Sequence, residues 1–207
     1  MTIIGLVGFI SSGKGATADI LIERYGFHRE SFANGVKNAV SNVFGWDREM
    51  LEGATKESRT WREVPDAWWS EKLGKPFSPR LALQLMGTEA GRNVFHEDIW
   101  VMAMERRMAH MSYNYVISDV RFPNEIQAIK RMGGKVVRVK RGPEPEWYEC
   151  AVRTNQLNGW TGEVQHMIQF PDVHYSEWAW CGIPLDLEPI TNDGTLEDLE
   201  EKVSLIL

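Results

Sequence analysis

The 207-residue sequence has only two cysteines, Cys150 and Cys181, and no long apolar run. Two cysteines do not make a disulfide scaffold, so we expect free thiols in a reducing compartment. No segment approaches the ~18 apolar residues that cross a bilayer. The first residues also lack the basic region that opens a signal peptide. These absences predict a cytoplasmic protein without a membrane partner.

The chain also lacks an excess of positive charge. It carries 23 Lys and Arg against 29 Asp and Glu, a net charge of −6 at pH 7. Binding along a phosphate backbone needs a basic surface, so this balance argues against a nucleic-acid partner. A polyanionic ligand would have to be held by a few clustered arginines. The hydrophobic content of 43% is ordinary for a globular core.

A glycine-rich loop follows the first apolar run. The segment from Gly8 to Lys14 fits G-x-x-x-x-G-K, between a short strand pattern and an amphipathic helix pattern. In that context backbone N–H groups and a helix N-terminus converge on a phosphate, which the lysine also reaches. A glycine turn without a ligand is the alternative. The hydroxyl residue that usually follows the lysine and holds Mg²⁺ is replaced by Gly15, and nearby Thr17 could touch an α-phosphate or cap the helix.

Predicted strands and helices alternate along the chain. Strands are predicted at 3–7, 27–32, 115–119, 135–140 and 187–191, and helices after the loop, at 33–44, 80–91, 98–111 and 123–132, and from Thr195 to the end. This order predicts an α/β fold with a mostly parallel sheet of about five strands and helices on both faces. Ligands then bind beyond the carboxyl ends of the strands.

Two stretches, 46–79 and 142–183, interrupt the alternation without clear periodicity. They are too long for plain connections, and such segments are usually functional lids or disordered. Their aromatic content argues against disorder. We therefore expect two lid-like inserts within a single domain spanning residues 1–207.

An acidic and a basic residue follow the third predicted strand, in YVISDVR. Asp119 at this position resembles the Walker B carboxylate, which holds Mg²⁺ directly or through water. Arg121, near the same strand end, could bind a phosphate through two parallel N–H donors. The alternative is an Asp–Arg pair that only stabilises the turn.

The segment SPRLALQLMGTEAGR carries polar residues and glycines on one predicted helix stripe. Arg80, Gln84, Gly87 and Gly91 share this stripe, with Thr88 beside it. Gln84 could recognise a base edge, and Arg80 or Arg92 could hold a monophosphate. The alternative is a close helix–helix contact that small residues permit.

A third cluster of cations lies in VVRVKRG and beyond, at Arg138, Lys140, Arg141 and Arg153. Transfer between two polyanions needs cations that arrive as the site closes. Arg141, at the end of its strand, is the best candidate, and Arg153 is the next. Each alone is more often a solvated side chain.

The turn after the last predicted strand contains Asn192 in the sequence NDG. It could approach the adenine of a nucleotide. The same three residues are also a common turn sequence. The sequence favours neither interpretation.

Taken in order, these motifs resemble the phage deoxynucleoside monophosphate kinases. The ordered set includes the G-K loop with its TAD helix start, FAN…K, R-x-x-x-Q-x-x-G-T-E, D-V-R, R-G, H-Y-S-E and T-N-D-G-T-L-E-D-L. The resemblance implies the three-layer P-loop kinase fold and transfer of the γ-phosphoryl group of ATP, with Mg²⁺, to a deoxynucleoside monophosphate. It also implies a role in DNA precursor supply, in the host cytoplasm if phage-encoded, and is compatible with a homodimer.

The motifs and the resemblance together place candidate site residues in three groups. The catalytic group is Lys14, Asp119, Arg121 and Arg141, with Asp119 as the Mg²⁺ ligand. The ATP-binding group is Gly8, Ser11, Ser12, Gly13, Lys14, Gly15, Ala16, Thr17 and Asn192. The substrate-binding group is Ala33, Lys37, Arg80, Gln84, Thr88, Glu89, Arg92 and Arg153. Residues 46–79 are shorter and richer in tryptophan than the family pattern, which leaves base preference open.

The charge of the acceptor distinguishes between kinase classes. A phosphate acceptor is largely ionised at neutral pH, its second pKa being ~6, so it needs positioning and charge neutralisation more than a general base. Several arginines but only two obvious carboxylates, Asp119 and Glu89, fall at the predicted site, which favours a phosphate acceptor. The alternatives are a hydroxyl-phosphorylating kinase, such as a dephospho-coenzyme A or nucleoside kinase with Asp119 as base, and a non-catalytic nucleotide-binding switch.

Overall fold

The computed structural model describes residues 1–109, 112–157 and 166–207. The chain divides into two compact units. Residues 1–31 and 111–207 form one, which we call the sheet unit, and residues 32–110 form the other, the helical unit.

A five-stranded sheet organises the sheet unit. Its strands are β1 (Ile3–Val7), β2 (His28–Glu30), β3 (Tyr115–Ile117), β4 (Lys135–Lys140) and β5 (Ile190–Thr191). The spatial order is β2-β3-β1-β4-β5, and every pairing is parallel. The predicted α/β fold with about five strands is confirmed.

Eleven α-helices lie in the described part of the chain. They are α1 (Lys14–Tyr25), α2 (Ala33–Phe44), α3 (Arg48–Glu52), α4 (Lys56–Glu63), α5 (Ala67–Leu73), α6 (Pro79–Gln84), α7 (Ile99–Met108), α8 (Pro123–Arg131), α9 (Tyr148–Leu157), α10 (Tyr175–Trp178) and α11 (Leu196–Ser204). A π-helical segment, Leu85–Phe95, continues α6, and a 3₁₀ helix spans Met167–Gln169. No helix in these ranges is long and apolar enough to cross a bilayer.

Helices cover both faces of the sheet. On one face Ile4 and Leu6 of β1 join Leu21 of α1 and Leu199 of α11 in a single buried cluster. On the other face α8 packs against β1 and β4. The alternation of side chains along β1 explains why a strand buried on both faces appears as a continuous apolar run.

The first predicted insert, 46–79, is helical, and the prediction of an irregular segment there was wrong. It contains α3, α4 and α5, whose N-cap residues Asp47, Thr55 and Asp66 each accept a backbone N–H bond through the side chain. Helices of five to eight residues make too few turns to show a periodic apolar face. Tryptophans and phenylalanines fill the core beneath them, namely Phe44, Trp46, Trp61, Trp69 and Phe77.

Other boundaries differ from the sequence-based predictions in three places. The second insert, 142–183, is not wholly irregular, because it contains α9 and α10, while 158–165 lie outside the described residues. The helix predicted at 80–91 changes to π-helical geometry at Leu85. Strand β3 ends at Ile117, so Asp119 lies in the following turn. The predicted Thr195 cap is confirmed, with a reciprocal capping box to Asp198.

Candidate active site

The glycine-rich loop joins β1 to α1, as the sequence predicts. Gly8, Ser11 and Gly13 have φ angles of 148°, 63° and 105°. A Cβ at Gly8 would lie 2.3 Å from the carbonyl oxygen of Val139, and one at Gly13 would lie 2.1 Å from the side-chain nitrogen of Asn192. Both the backbone angle and the lack of space therefore require glycine at the two ends of the loop.

Asn192 connects this loop to the turn after β5. Its Nδ2 donates to the carbonyl oxygen of Ser12 over 3.1 Å, and its backbone N–H donates to that of Lys140 over 2.7 Å. The side chain supports the loop backbone, which is a structural use of the NDG turn. Contact of Asn192 with a nucleotide stays a prediction.

Lys14 bends back over the loop that precedes it. Its Nζ donates to the carbonyl oxygens of Gly8 over 2.6 Å and Phe9 over 2.8 Å. Burial and, to a smaller extent, the positive charge of Arg121 lower the pKa of Lys14 to about 8, although the negative charge of Glu177 partly offsets both. The ammonium is therefore charged at neutral pH but close to its titration range.

Two hydroxyl groups beside the loop are buried without a partner. Ser12 is 4% exposed and Thr17 is fully buried. Neither Oγ of Ser12 nor Oγ1 of Thr17 has a hydrogen bond within the described residues. Buried hydroxyls are normally satisfied, so both groups require an explanation. The alternative of Thr17 as helix cap is wrong, because α1 is capped by Gly13 and Thr17 lies one turn inside the helix.

Asp119 is held at the carboxyl ends of two neighbouring strands. The Ser31 hydroxyl, just after β2, donates to Oδ2 of Asp119 over 2.6 Å. Because β2, β3 and β1 are adjacent and parallel, this pair lies at the same sheet edge as the glycine-rich loop. Sequence reasoning missed Ser31, although it precedes the FAN motif directly.

The Mg²⁺ site predicted at Asp119 requires oxygen ligands. No cluster of three or more His, Cys, Asp or Glu side chains occurs in the ranges described. Mg²⁺ is commonly held by one or two carboxylates together with substrate phosphates and waters. The single carboxylate of Asp119, at the carboxyl edge of the sheet, fits such an ion.

Arg121 is positioned by the second insert. Its Nη1 donates to Oε1 of Glu177 over 3.1 Å and to Oγ of Ser176 over 3.3 Å. Its backbone N–H donates to Oε2 of Glu125 over 2.8 Å. The alternative of an Asp119–Arg121 pair that only stabilises the turn is not supported, because the guanidinium pairs with Glu177. Sequence reasoning missed Glu177, although the H-Y-S-E motif contains it.

The third cation cluster separates into buried and exposed members. Arg138 is 8% exposed and forms an ion pair with Glu144, which Lys140 also contacts over 2.9 Å. Arg138 is buried and paired, so it is not a mobile phosphate-binding cation. A phosphate contact of Lys140, whose side chain is partly exposed, stays a prediction. Arg141, after β4, and Arg153, on α9, are exposed and have no ion pair within the described chain.

The helical unit contains the other predicted substrate-binding residues. Lys37, on α2, donates to Oε1 of Glu52 over 2.6 Å, and Arg48 bonds the other oxygen over 2.8 Å. Burial raises the pKa of Glu52, but hydrogen bonds from Lys37 and Arg48 outweigh it and leave this pKa below its ordinary value. Ala33 is the first residue of α2.

The predicted stripe of α6 is interrupted by the π-helical segment. Arg80 and Gln84 are exposed on α6, with Arg80 Nε 3.9 Å from Glu63. The remaining members follow in the π-helical segment, where Thr88 and Glu89 are exposed and Arg92 is half-buried. The structure places them on one continuous helical stretch.

Gly91 serves helix packing. A Cβ there would lie 2.5 Å from the ring of Trp100, whose Nε1 donates to the carbonyl oxygen of Gly87 over 2.8 Å. Gly35 of α2 also faces this ring, with a Cβ position 2.9 Å away. The alternative of a close contact between helices, permitted by small residues, is confirmed for Gly91.

Comparison with known proteins gives a consistent set of similarities. The model of the deoxynucleotide monophosphate kinase family matches residues 52–149. A provisionally named deoxynucleotide monophosphate kinase of Acanthamoeba polyphaga mimivirus is 34% identical over 155 residues, covering 68% of this chain and 75% of the relative. The deoxynucleoside-5'-monophosphate kinase of Escherichia phage T5 is 30% identical over 178 residues, covering 62% and 71%. The solved structure of TT1252 from Thermus thermophilus aligns with a TM-score of 0.48 at 18% identity, covering 99% of this chain and 95% of that one.

Proposed function

Because the chain belongs to the deoxynucleotide monophosphate kinase family, we propose that it transfers the γ-phosphoryl group of ATP to a deoxynucleoside monophosphate, giving a diphosphate and ADP. The observation that carries this proposal is the glycine-rich loop between β1 and α1, with buried Ser12 and Thr17 hydroxyls that have no partner in the described residues. No observation favours a hydroxyl acceptor or a non-catalytic switch.

The loop and Lys14 bind the donor phosphates in this proposal. Backbone N–H groups from Phe9 to Lys14 and the N-terminus of α1 provide donors and a positive dipole end. Lys14 exchanges its two backbone carbonyl partners for phosphate oxygens. A doubly charged phosphate stabilises the ammonium far more than two carbonyl groups do, so binding raises the pKa of Lys14.

Asp119 is the group that would hold Mg²⁺ or its water ligands. When bound there, the ion would neutralise negative charge that develops during transfer. Ser31 holds the Asp119 carboxylate in place through its hydroxyl. Thr17, one turn into α1, belongs to the donor-binding residues in this proposal.

Arginines neutralise the phosphoryl group that passes between the two nucleotides. Arg121 is held by Glu177. It can exchange this carboxylate for a phosphate, because two phosphate oxygens can accept hydrogen bonds from the guanidinium. Arg141 and Arg153 are exposed and free to approach an anion. Such a site supplies orientation and charge, which is what transfer to an ionised acceptor requires.

The helical unit binds the acceptor in this proposal. Lys37, Arg80 and Arg92 supply positive charge for the monophosphate. Gln84, Thr88 and Glu89 expose hydrogen-bonding groups that can contact base or sugar, and Ala33, the first residue of α2, is a further substrate contact in this proposal. We further propose a homodimer in the host cytoplasm that supplies DNA precursors and has no nucleic-acid partner. Light scattering of the purified protein tests the dimer.

A coupled ADP-release assay tests the function. Each common deoxynucleoside monophosphate, the matching nucleoside and dephospho-coenzyme A are offered separately with ATP and Mg²⁺. We expect ADP release with one or more monophosphates and none with the nucleosides or dephospho-coenzyme A. Release with a hydroxyl acceptor alone, or with none of these compounds, contradicts the proposal.

A further inference from the structure

A buried arginine lies among aromatic rings near the carboxyl end of β4. The guanidinium carbon of Arg138 is 5.3 Å from the ring centroid of Phe9, 4.9 Å from that of Tyr148 and 5.0 Å from that of Trp180. Its Nη1 donates to the Tyr148 hydroxyl over 3.2 Å, and its Nη2 pairs with Glu144. A buried charge needs compensation of this kind. We call Arg138, Tyr148 and Trp180 the arginine cage, against which the ring of Phe9 packs.

Phe9 connects the arginine cage to the phosphate-binding loop. It is the second residue of the glycine-rich motif, and it leaves β1 beside β4, the neighbouring parallel strand. Its ring also packs edge-on against Trp147 at a centroid distance of 5.0 Å and an angle of 78°. The carbonyl oxygen of the same residue accepts a hydrogen bond from Lys14. The side chain of Phe9 is thus held by the cage while its backbone forms part of the loop.

At Ser12 the loop is held by Asn192 and by a backbone hydrogen bond to Phe9, but its tip is exposed. Ile10 and Ser11 are exposed, and Ser11 has a φ of 63°, which is unfavourable for a residue other than glycine. The two hydrogen bonds from Lys14 are lost when that side chain turns to a phosphate. The contacts of Phe9 with the cage do not involve Lys14, so they persist in the nucleotide-bound state.

We infer that Phe9 is a positioning residue for ATP: the arginine cage holds its ring, and the ring holds the loop backbone in its phosphate-binding conformation. Arg138 is then the centre of a stack and not a phosphate ligand. The inference rests on the proposed function of the loop. It has a specific consequence, namely that loss of the ring weakens the binding of ATP without weakening that of the acceptor.

Three substitutions of Phe9 separate its ring from its volume. Phe9→Ala removes both, Phe9→Leu keeps most of the volume, and Phe9→Tyr keeps the ring. The matched control is Ile129→Ala, which removes a fully buried side chain packed near Ile3, at the opposite end of β1. Each variant is checked for folding by circular dichroism. The dissociation constant of ATP is measured by calorimetry, and KM is measured for each substrate.

We expect Phe9→Ala to raise both the dissociation constant and the KM of ATP about tenfold, which is about 1.4 kcal/mol. Phe9→Leu should raise them by at least about threefold, because its side chain has no aromatic face for the cage. Phe9→Tyr should stay within about twofold of the wild type. The KM of the acceptor should not change in any of them, and Ile129→Ala should lower the melting temperature alone.

Several results would overturn the inference. An unchanged ATP dissociation constant in Phe9→Leu, which keeps most of the side-chain volume, would refute it even if Phe9→Ala were unstable. An equal rise for ATP and acceptor, or the same ATP effect in Ile129→Ala, would reduce Phe9 to a general stabilising residue. If the wild-type protein did not bind ATP at all, the proposed function would fail together with the inference.

Discussion

The lowered pKa of Lys14 predicts that ATP binding takes up a proton. Burial and Arg121 bring this pKa from 10.5 to about 8 in the free protein, and a bound phosphate restores it towards its ordinary range. At pH 8 about half of the free molecules carry an uncharged Lys14, so binding should take up about half a proton. The expected uptake is about a tenth of a proton at pH 7 and about nine tenths at pH 9.

The affinity for ATP should fall over the same range. Only molecules with a charged Lys14 bind well, so the dissociation constant should rise about tenfold between pH 7 and pH 9. Calorimetry in pairs of buffers with different ionisation enthalpies gives both the proton uptake and the affinity. Lys14→Met is the control, since it has no titrating group at this position and should show weak binding without this pH dependence.

The stability of the free protein should change in the opposite direction. Between about pH 8 and pH 10.5 the unfolded chain keeps a proton on Lys14 that the folded protein has lost, so this group increases stability as pH rises. The full shift corresponds to about 3 kcal/mol, and partial exposure of the side chain reduces the expected gain to about 1–2 kcal/mol. Urea titrations of the wild type and Lys14→Met measure it. No proton uptake at pH 8, or equal uptake in Lys14→Met, would refute the reasoning.

Three further substitutions test other contacts. Arg121→Lys should lower kcat by about a hundredfold or more, because a point charge cannot replace a planar fork; an unchanged rate in the coupled assay would show that Arg121 only holds Glu177. Asn192→Ala removes the hydrogen bond to the Ser12 carbonyl and should weaken ATP binding by about 1 kcal/mol. An unchanged affinity in calorimetry would show that this bond does not stabilise the ATP-binding conformation of the loop. Gly91→Ala forces a methyl group towards Trp100 and should lower stability by about 1–3 kcal/mol; a melting temperature equal to that of the wild type would contradict the packing role.

Elements that depend on neighbouring residues were predicted well. Helix α2 and strand β4 have the predicted bounds, because the apolar period of the one and the valine-rich sequence of the other are properties of the segment itself. The cap at Thr195 likewise needs only a residue three positions further on. The glycine-rich loop is local in the same sense, since it depends on glycines at positions of positive φ.

Elements that depend on distant partners were predicted poorly. The π-helical geometry of Leu85–Phe95 accompanies a hydrogen bond from Trp100 and a ring that fills the space beside Gly91. No periodicity in the sequence indicates such a contact. The short helices of 46–79 are stabilised by caps and by a shared aromatic core, and each is too short to show a pattern.

The sequence by itself determined the glycine-rich loop, the alternation of strands and helices and the family, because these follow from the order and chemistry of adjacent residues. Only the tertiary structure decided what each arginine does. Arg138 and Arg141 are three residues apart, yet one is enclosed by rings from Phe9, Tyr148 and Trp180 and the other is exposed. Their difference arises because the enclosing side chains come from distant parts of the chain, which meet only when the sheet unit folds.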